Sequence, residues 1–412
     1  MLSISGGEPV RRAPFPSWPV FGPQDEAALL EVLRSGRWFL ADKITAFEEA
    51  FAAFQEARFG VAVSSGTTAL QIALETTGIR PGDEVIVPAY TFVATASAVA
   101  ATGGVPVFAD VLPGTYNLDA ASAEAAVTQR TQAIIAVHIA GRPADLDAIG
   151  QVAARHGLRL IEDAAQAHAA AWKGRRVGAI GDLGTFSFQA SKNLCAGEGG
   201  FITSDDRDLA ERAWSIHNCG RSRQGAWYEH PLIGSNYRIS EFHAALLLAQ
   251  MRNLEAQTAT RTRNAARLDA LLAAIDGVDP LEADERVTTC ANHLYVIRYR
   301  SEAFGGAPRD RFLAALRAEG VPCSSGYRPL YREEAFSAHY RDWPFESPYF
   351  GGKPDYSKVC CPVTERICAE ESVWLTQSML LGPESDMDDI AAAMAKIREH
   401  ADELQETEPA GR

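Results

Sequence analysis

From residue 60 onward, short runs of apolar, β-branched residues alternate with longer stretches whose apolar positions recur every three or four residues. "GVAVSS" is followed by "TTALQIALETTG", "DEVIVP" by "TFVATASAVAATGG", and "TQAIIAVHIAG" by "ADLDAIGQVAARHG", after which "LRLIED" begins. The short runs are apolar throughout instead of alternating, so both faces of each strand are covered, and the helices between them are long enough for crossovers. The pattern predicts an α/β fold with a mostly parallel central sheet. Ligands of such sheets lie beyond the carboxyl ends of the strands, where loops lead into helices.

After this the rhythm changes. A helical pattern runs with few breakers from Ile239 to about Ile275, long enough to bridge two domains. "ANHLYVIRYR" then reads as a strand, "RDRFLAALRAEG" as a helix ended by glycine, and "DMDDIAAAMAKIREHADEL" as a final amphipathic helix. These predict a smaller α+β domain at the C-terminus, with a loop-rich stretch at about 322–362 inside it. A chain of 412 residues exceeds one small core. The expected division is a large domain over 1–255, with an N-terminal arm at about 1–40, and a small domain over 256–412.

Composition narrows the function. The net charge of -14 argues against a nucleic-acid partner, because binding to phosphate backbones needs clustered Lys and Arg; Arg11 and Arg12 are a pair, not a patch. Seven cysteines without C-x-x-C spacing suggest no zinc site and no disulfide framework. No apolar run approaches the roughly 18 residues needed to span a bilayer, and no signal peptide is apparent, so the expectation is a cytoplasmic protein.

Three strand ends carry polar residues. In "SSGTTAL" a strand stops at Gly66 and a helix begins with Thr67 and Thr68; free N–H groups there suit a phosphate, although Ser or Thr at a helix start also serves as a plain cap. In "LIEDAAQAHAA" Asp163 ends a buried strand, where a carboxylate requires a partner such as a protonated ring nitrogen or a helix cap. In "GTFSFQASKNLCAGEGG" Lys192 stands between an apolar run that includes Ser187 and a glycine-rich turn. A buried lysine loses its charge readily and then attacks aldehydes; a lysine reaching solvent is the alternative. Together these are the three handles of pyridoxal phosphate: its phosphate, its ring nitrogen and its aldehyde.

In these motifs the chain resembles the DegT/DnrJ/EryC1/StrS family of pyridoxal-phosphate aminotransferases. The likeness runs from "PFPSWP" through "GTTAL", "VPAYTFVATASAV", "EDAAQAH", "FSFQASKNLCAGEGG" and "GSNYRISEFHAALLLAQ" to "HLYVIRY" and "GYRPLY". The resemblance implies a fold-type-I transferase in which Lys192 is the Schiff-base lysine and Asp163 the partner of the pyridinium nitrogen. It places Gly66, Thr67 and Ser187 at the phosphate, Phe92 as the stacking aromatic, and Gln166 near the ring and its 3-hydroxyl. Asn236 matches an asparagine that reaches the phosphate of a neighbouring subunit, which implies a homodimer with shared sites. His168 reads as a packed or hydrogen-bonded histidine without an assigned role, and Arg221 and Arg223 suit either a diphosphate or donor carboxylate or ordinary surface ion pairs.

"FSFQ", "NCGRSR" and "GYRPLY" look most like the branch of scyllo-inosose aminotransferases and 3-amino-5-hydroxybenzoate synthases, whereas Ala190, Ser191 and Ala169 depart from it. The implied reaction moves nitrogen from L-glutamate or L-glutamine to the keto group of a cyclitol or a nucleotide-linked ketosugar. Alternatives are an aromatising dehydratase of the aminohydroxybenzoate type and a non-catalytic cofactor-binding regulator. No G-x-G-x-x-G follows a strand, which sets a nicotinamide oxidoreductase low.

Overall fold

A computed structural model describes residues 1–337 and 354–404. Seven strands form the main sheet: β1 (Phe59–Val63), β2 (Glu84–Pro88), β3 (Val105–Ala109), β4 (Thr131–Val137), β5 (Arg159–Asp163), β6 (Leu183–Ser187) and β7 (Gly200–Ser204). Their order is β1-β7-β6-β5-β4-β2-β3. The pairs β2–β3, β2–β4, β4–β5 and β5–β6 are parallel, while β7 runs antiparallel to both β6 and β1. The mostly parallel α/β sheet that the hydrophobic pattern predicts is therefore present.

Helices α1 (Pro23–Ser35), α2 (Asp42–Phe54), α3 (Gly66–Thr77), α4 (Ala94–Ala101), α5 (Leu146–His156), α6 (Arg207–His217) and α7 (Glu241–Leu272) surround the sheet. Phe47 and Phe51 of α2, Ile149 of α5 and Leu247 of α7 cover one face; Leu70 of α3, Val99 of α4 and Ile216 of α6 cover the other. Local chemistry sets several helix ends. Asp145 and Asp206 cap α5 and α6 through their carboxylates, and Gly78 and Gly157 end α3 and α5 in the left-handed conformation.

A second core is built around the antiparallel strands β8 (Val278–Pro280), β9 (Leu294–Tyr299) and β10 (Ser372–Thr376), with helices α8 (Arg309–Ala318) and α9 (Glu384–Glu399). The long helix α7 places Leu247 and Leu254 in the first core and Leu268 and Leu272 in this one.

Some elements differ from the pattern. β3 carries Pro106, which breaks a strand signature, yet β3 is the sheet edge and a missing N–H is tolerated there. The N-terminal stretch holds two helices, and Leu2 is buried among Phe312, Leu316 and Met394 of the second core. Within the loop-rich stretch, Leu330, Tyr331, Phe336 and Tyr356 pack with Phe108 against the main sheet, not in the smaller core; residues 338–353 of that stretch lie outside the described residues.

The hairpin of β6 and β7 rests on aromatic rings. Phe51 lies with ring centroids 5.1 Å from Phe186, 5.2 Å from Phe188 and 4.9 Å from Phe201, all close to edge-on. Edge-to-face pairs of this kind add to the burial of large apolar area. Phe51→Ala is expected to destabilise the fold by about 3–5 kcal/mol, read as a lower denaturant midpoint; an unchanged midpoint would show that the ring cluster is not holding the hairpin.

Candidate active site

A cavity of about 920 Å³ opens at the carboxyl ends of β1, β2, β4, β5 and β6. Gly66, Thr67, Phe92, Asp163, Gln166, Ser187 and Lys192 line it together, so residues more than a hundred positions apart converge as the sequence motifs predict. The exception is Asn236. It is exposed and lies outside this cavity, in a segment stitched to the end of β1 by the Val63–Arg238 bridge and by Ser64 N donating to Tyr237 O at 2.7 Å.

Lys192 sits in the loop that joins antiparallel β6 and β7. Phe188 N donates to Gly199 O at 2.8 Å, Ala196 N to Phe188 O at 2.9 Å, and Lys192 N to Gln189 O at 2.9 Å, which fixes the backbone on both sides of the lysine. Asn193 continues the anchoring: its amide donates to Ala291 O at 2.7 Å and its oxygen lies 3.1 Å from His293 Nδ1. With the Asn193 oxygen as acceptor, His293 carries its proton on Nδ1. The Lys192 amine has no hydrogen-bond partner among the described residues. Burial lowers its pKa to about 8, with the charge of Asp163 pulling in the opposite direction.

Asp163 ends β5 and is only 6% exposed. Its carboxylate accepts from Thr95 Oγ1 at 2.8 Å and from Ala165 N at 3.2 Å, and it makes no ion pair among the described residues. Burial raises its pKa for that reason. The neighbouring Glu162 shows the contrast. It faces the opposite side of the strand, and accepts from Gly178 N, Ile180 N, Gly181 N and His138. These bonds lower its pKa in spite of complete burial.

At the start of α3, Ser65 and Thr68 cap each other, Thr68 N donating to Ser65 Oγ at 3.1 Å and Ser65 N to Thr68 Oγ1 at 3.0 Å. Capping is therefore carried by those two residues, and the N–H groups of Gly66 and Thr67 remain without partners among the described residues. A Cβ on residue 66 would lie 2.7 Å from Ser187 Cβ, so only glycine lets the helix start approach β6 this closely. Ser187 Oγ thereby joins the helix N-terminus in one concave, donor-rich corner.

Thr95, His293, Tyr327 and Trp18 also border this chemistry, and the sequence motifs assign no role to Thr95, His293 or Trp18. The two hydroxyls of Thr91, just before α4, and Thr95 in its first turn lie 3.1 Å apart, the second on Asp163. Gln166 enters the cavity with its amide already oriented, because its oxygen accepts from Ala140 N at 2.6 Å and its nitrogen donates to Tyr327 Oη at 3.0 Å. His168 is buried among Phe51, Phe186 and Phe188, and burial pushes its pKa down to about 3, which keeps it neutral. Arg221 stacks on Trp227 and Arg223 on Trp214, and neither lines this cavity.

A donor-rich corner, a buried carboxylate and an amine of lowered basicity thus share one cavity, a combination that fits the class of pyridoxal-phosphate-dependent enzymes. The chain belongs to the DegT/DnrJ/EryC1/StrS aminotransferase family, whose model matches residues 20–395. It is 40% identical to the L-glutamine:2-deoxy-scyllo-inosose aminotransferase of Streptoalloteichus tenebrarius, over 98% of this chain and 99% of that protein. The crystal structure of 3-amino-5-hydroxybenzoic acid synthase superposes with a TM-score of 0.84 at 38% identity, covering 94% of this chain and all of that one. The structure of DesI with its TDP-sugar product superposes with a TM-score of 0.81 at 31% identity, covering 98% of each chain.

The lowered pKa of Lys192 has a sign. The folded chain disfavours the charged amine, so the charge costs stability below about pH 8 and that cost fades as pH rises toward the unfolded value of 10.5. In the cofactor-free protein, labelling of Lys192 by an amine-reactive reagent should reach half its maximum near pH 8, and Asp163→Asn should move the midpoint lower. A midpoint equal to that of surface lysines would show that the amine is solvated.

Proposed function

We propose that this chain binds pyridoxal 5'-phosphate in the cavity and transfers an amino group from L-glutamine or L-glutamate to the ketone of a polyhydroxylated ring. One observation carries the reading: the buried Asp163 carboxylate without a cation faces the same cavity as the free Lys192 amine and the open N–H groups of α3. Gly66, Thr67 and Ser187 hold the phosphate, Phe92 covers the ring and Asp163 keeps the ring nitrogen protonated. Gln166 donates its remaining amide proton toward the ring hydroxyl.

When bound, the cofactor supplies an aldehyde that joins amines and a ring that withdraws electrons from the attached carbon. The chain supplies the rest. Lys192 Nζ, its basicity lowered by burial, would carry a proton from the donor's α-carbon to the carbon of the cofactor's former aldehyde within the donor half-reaction, and the opposite way in the acceptor half. Thr95 orients the Asp163 carboxylate through a 2.8 Å hydrogen bond, and the apolar walls limit water around the amine.

The named activity of the Streptoalloteichus relative supports glutamine as donor and a ketocyclitol as acceptor. The cavity lining supports a neutral acceptor, because Lys192 is the only lysine or arginine among the described residues that line it. The likeness to DesI with its TDP-sugar product keeps a nucleotide-linked ketosugar as the second acceptor class. The likeness to 3-amino-5-hydroxybenzoic acid synthase favours one alternative chemistry, loss of water from the ring with release of an aromatic product.

A second copy of the chain completes the site in this reading. Trp38, Phe39, Trp227, Tyr228 and Ile233 are exposed, the last at 98%, and an apolar surface of this kind suits a protein partner. Asn236 lies on the same outward segment and reaches the partner's phosphate corner. Asn236→Ala should weaken cofactor affinity about tenfold, as expected for one lost hydrogen bond to a charged group, without loss of the Lys192 amine; equal affinity would remove the shared-site element.

The central test is optical. Protein mixed with pyridoxal phosphate should show a visible band that L-glutamine or L-glutamate bleaches, and borohydride should fix the cofactor on Lys192 in peptide mass maps. Lys192→Ala should abolish both the fixation and turnover. Fixation elsewhere, or normal turnover in that variant, would refute the assignment.

A further inference from the structure

The wall of the cavity facing the lysine comes from the smaller core, and it includes Gln377, which follows β10 and is 3% exposed. Its oxygen accepts from Arg261 Nε of α7 at 2.9 Å. A guanidinium donates hydrogen bonds and never accepts them, so the Gln377 amide cannot turn over without placing N–H against N–H. Its nitrogen therefore points away from Arg261. That nitrogen has no partner among the described residues, although the side chain borders the cavity. Arg261 is itself fully buried, its Nη1 and Nη2 are without hydrogen-bond partners among the described residues, and its guanidinium lies 5.4 Å from the Trp18 ring, which also lines the cavity.

The wall around Gln377 is uncharged. Thr376 and Ser378 flank it with hydroxyls 3.2 Å apart. Tyr327 accepts from Gln166 at 3.0 Å, which leaves its own hydroxyl proton to donate. Trp374 stands edge-on to Tyr327 at 4.6 Å.

We propose that Gln377 is a specificity-determining residue that donates hydrogen bonds to a ring hydroxyl of the keto acceptor, and that Arg261 is the positioning residue that holds its amide in the donating orientation. This deepens the aminotransferase reading and rests on it. A neutral amide among hydroxyls suits the oxygen of a polyol; a donor carboxylate would be better served by a cation. The bond from a charged donor polarises the amide and strengthens what its N–H groups offer.

Gln377→Glu separates recognition from folding. A glutamate accepts from Arg261 and gives a counter-charge to its unpaired groups, but it brings no donor to the cavity. The cofactor-free variant should melt no lower than the parent. With 2-deoxy-scyllo-inosose as the probe ketone, kcat/KM of the acceptor half-reaction should fall about 10- to 100-fold, the range for an unmade hydrogen bond in a binding site. That loss should exceed any change in the L-glutamine half-reaction at least tenfold. Arg261→Met, which releases the amide without removing it, should raise acceptor KM more than it lowers kcat.

Equal losses in both half-reactions, or no loss in the acceptor half, would overturn the assignment. So would a parent enzyme that reacts with L-glutamine yet aminates neither the probe nor a hexose-derived ketone. If the parent shows no donor half-reaction at all, the aminotransferase reading falls first and this inference with it.

Discussion

A buried carboxylate whose hydrogen-bond partners are all neutral is the constraint on which this site depends. Asp163 gains two hydrogen bonds from neutral groups, Thr95 and Ala165, and burial still raises its pKa. A buried charge is costly, so a cation brought beside Asp163 stabilises the anion. The surrounding architecture keeps that carboxylate beside the Lys192 amine in one cavity. β5 fixes the carboxylate, the β6–β7 hairpin fixes Lys192, and α3 brings its open N–H groups within reach of Ser187 because residue 66 has no side chain. The neighbouring Glu162, given three backbone N–H groups and a histidine, shows how the same strand treats a carboxylate whose role is structural.

Much of this was legible in the sequence, for a physical reason. The apolar runs of β2 and β4 have few ways to be buried other than in a parallel sheet, and a parallel sheet collects its strand ends on one side. Asp163 ends a strand, and Gly66 and Lys192 lie three and five residues beyond strand ends, so the pattern was enough to group them. The edge strand β3 was hidden by Pro106, whose cost vanishes only because no further strand pairs beyond it. Thr95 and Gln377 were hidden for another reason. Their roles depend on partners 68 and 116 residues away, and such pairings have no periodic signature.

Two side-chain amides in the cavity are oriented by groups that can only donate: Gln166 by the backbone N–H of Ala140 and Gln377 by Arg261. Fixing an amide through its oxygen turns a two-faced group into a one-way donor. This gives the cavity directional polarity without adding charge, which matters where the one neighbouring amine must stay close to neutral.

The cavity has two builders. Residues of the main sheet supply the corner, the carboxylate and the amine, whereas Tyr327, Trp374 and Gln377 come from segments around the smaller sheet. The reacting machinery and the wall that meets the incoming ring are thus separated along the chain by more than a hundred positions. A lineage can rewrite the wall by ordinary drift or by exchange of a C-terminal segment and inherit the chemistry intact, so new acceptors are reachable by small evolutionary steps.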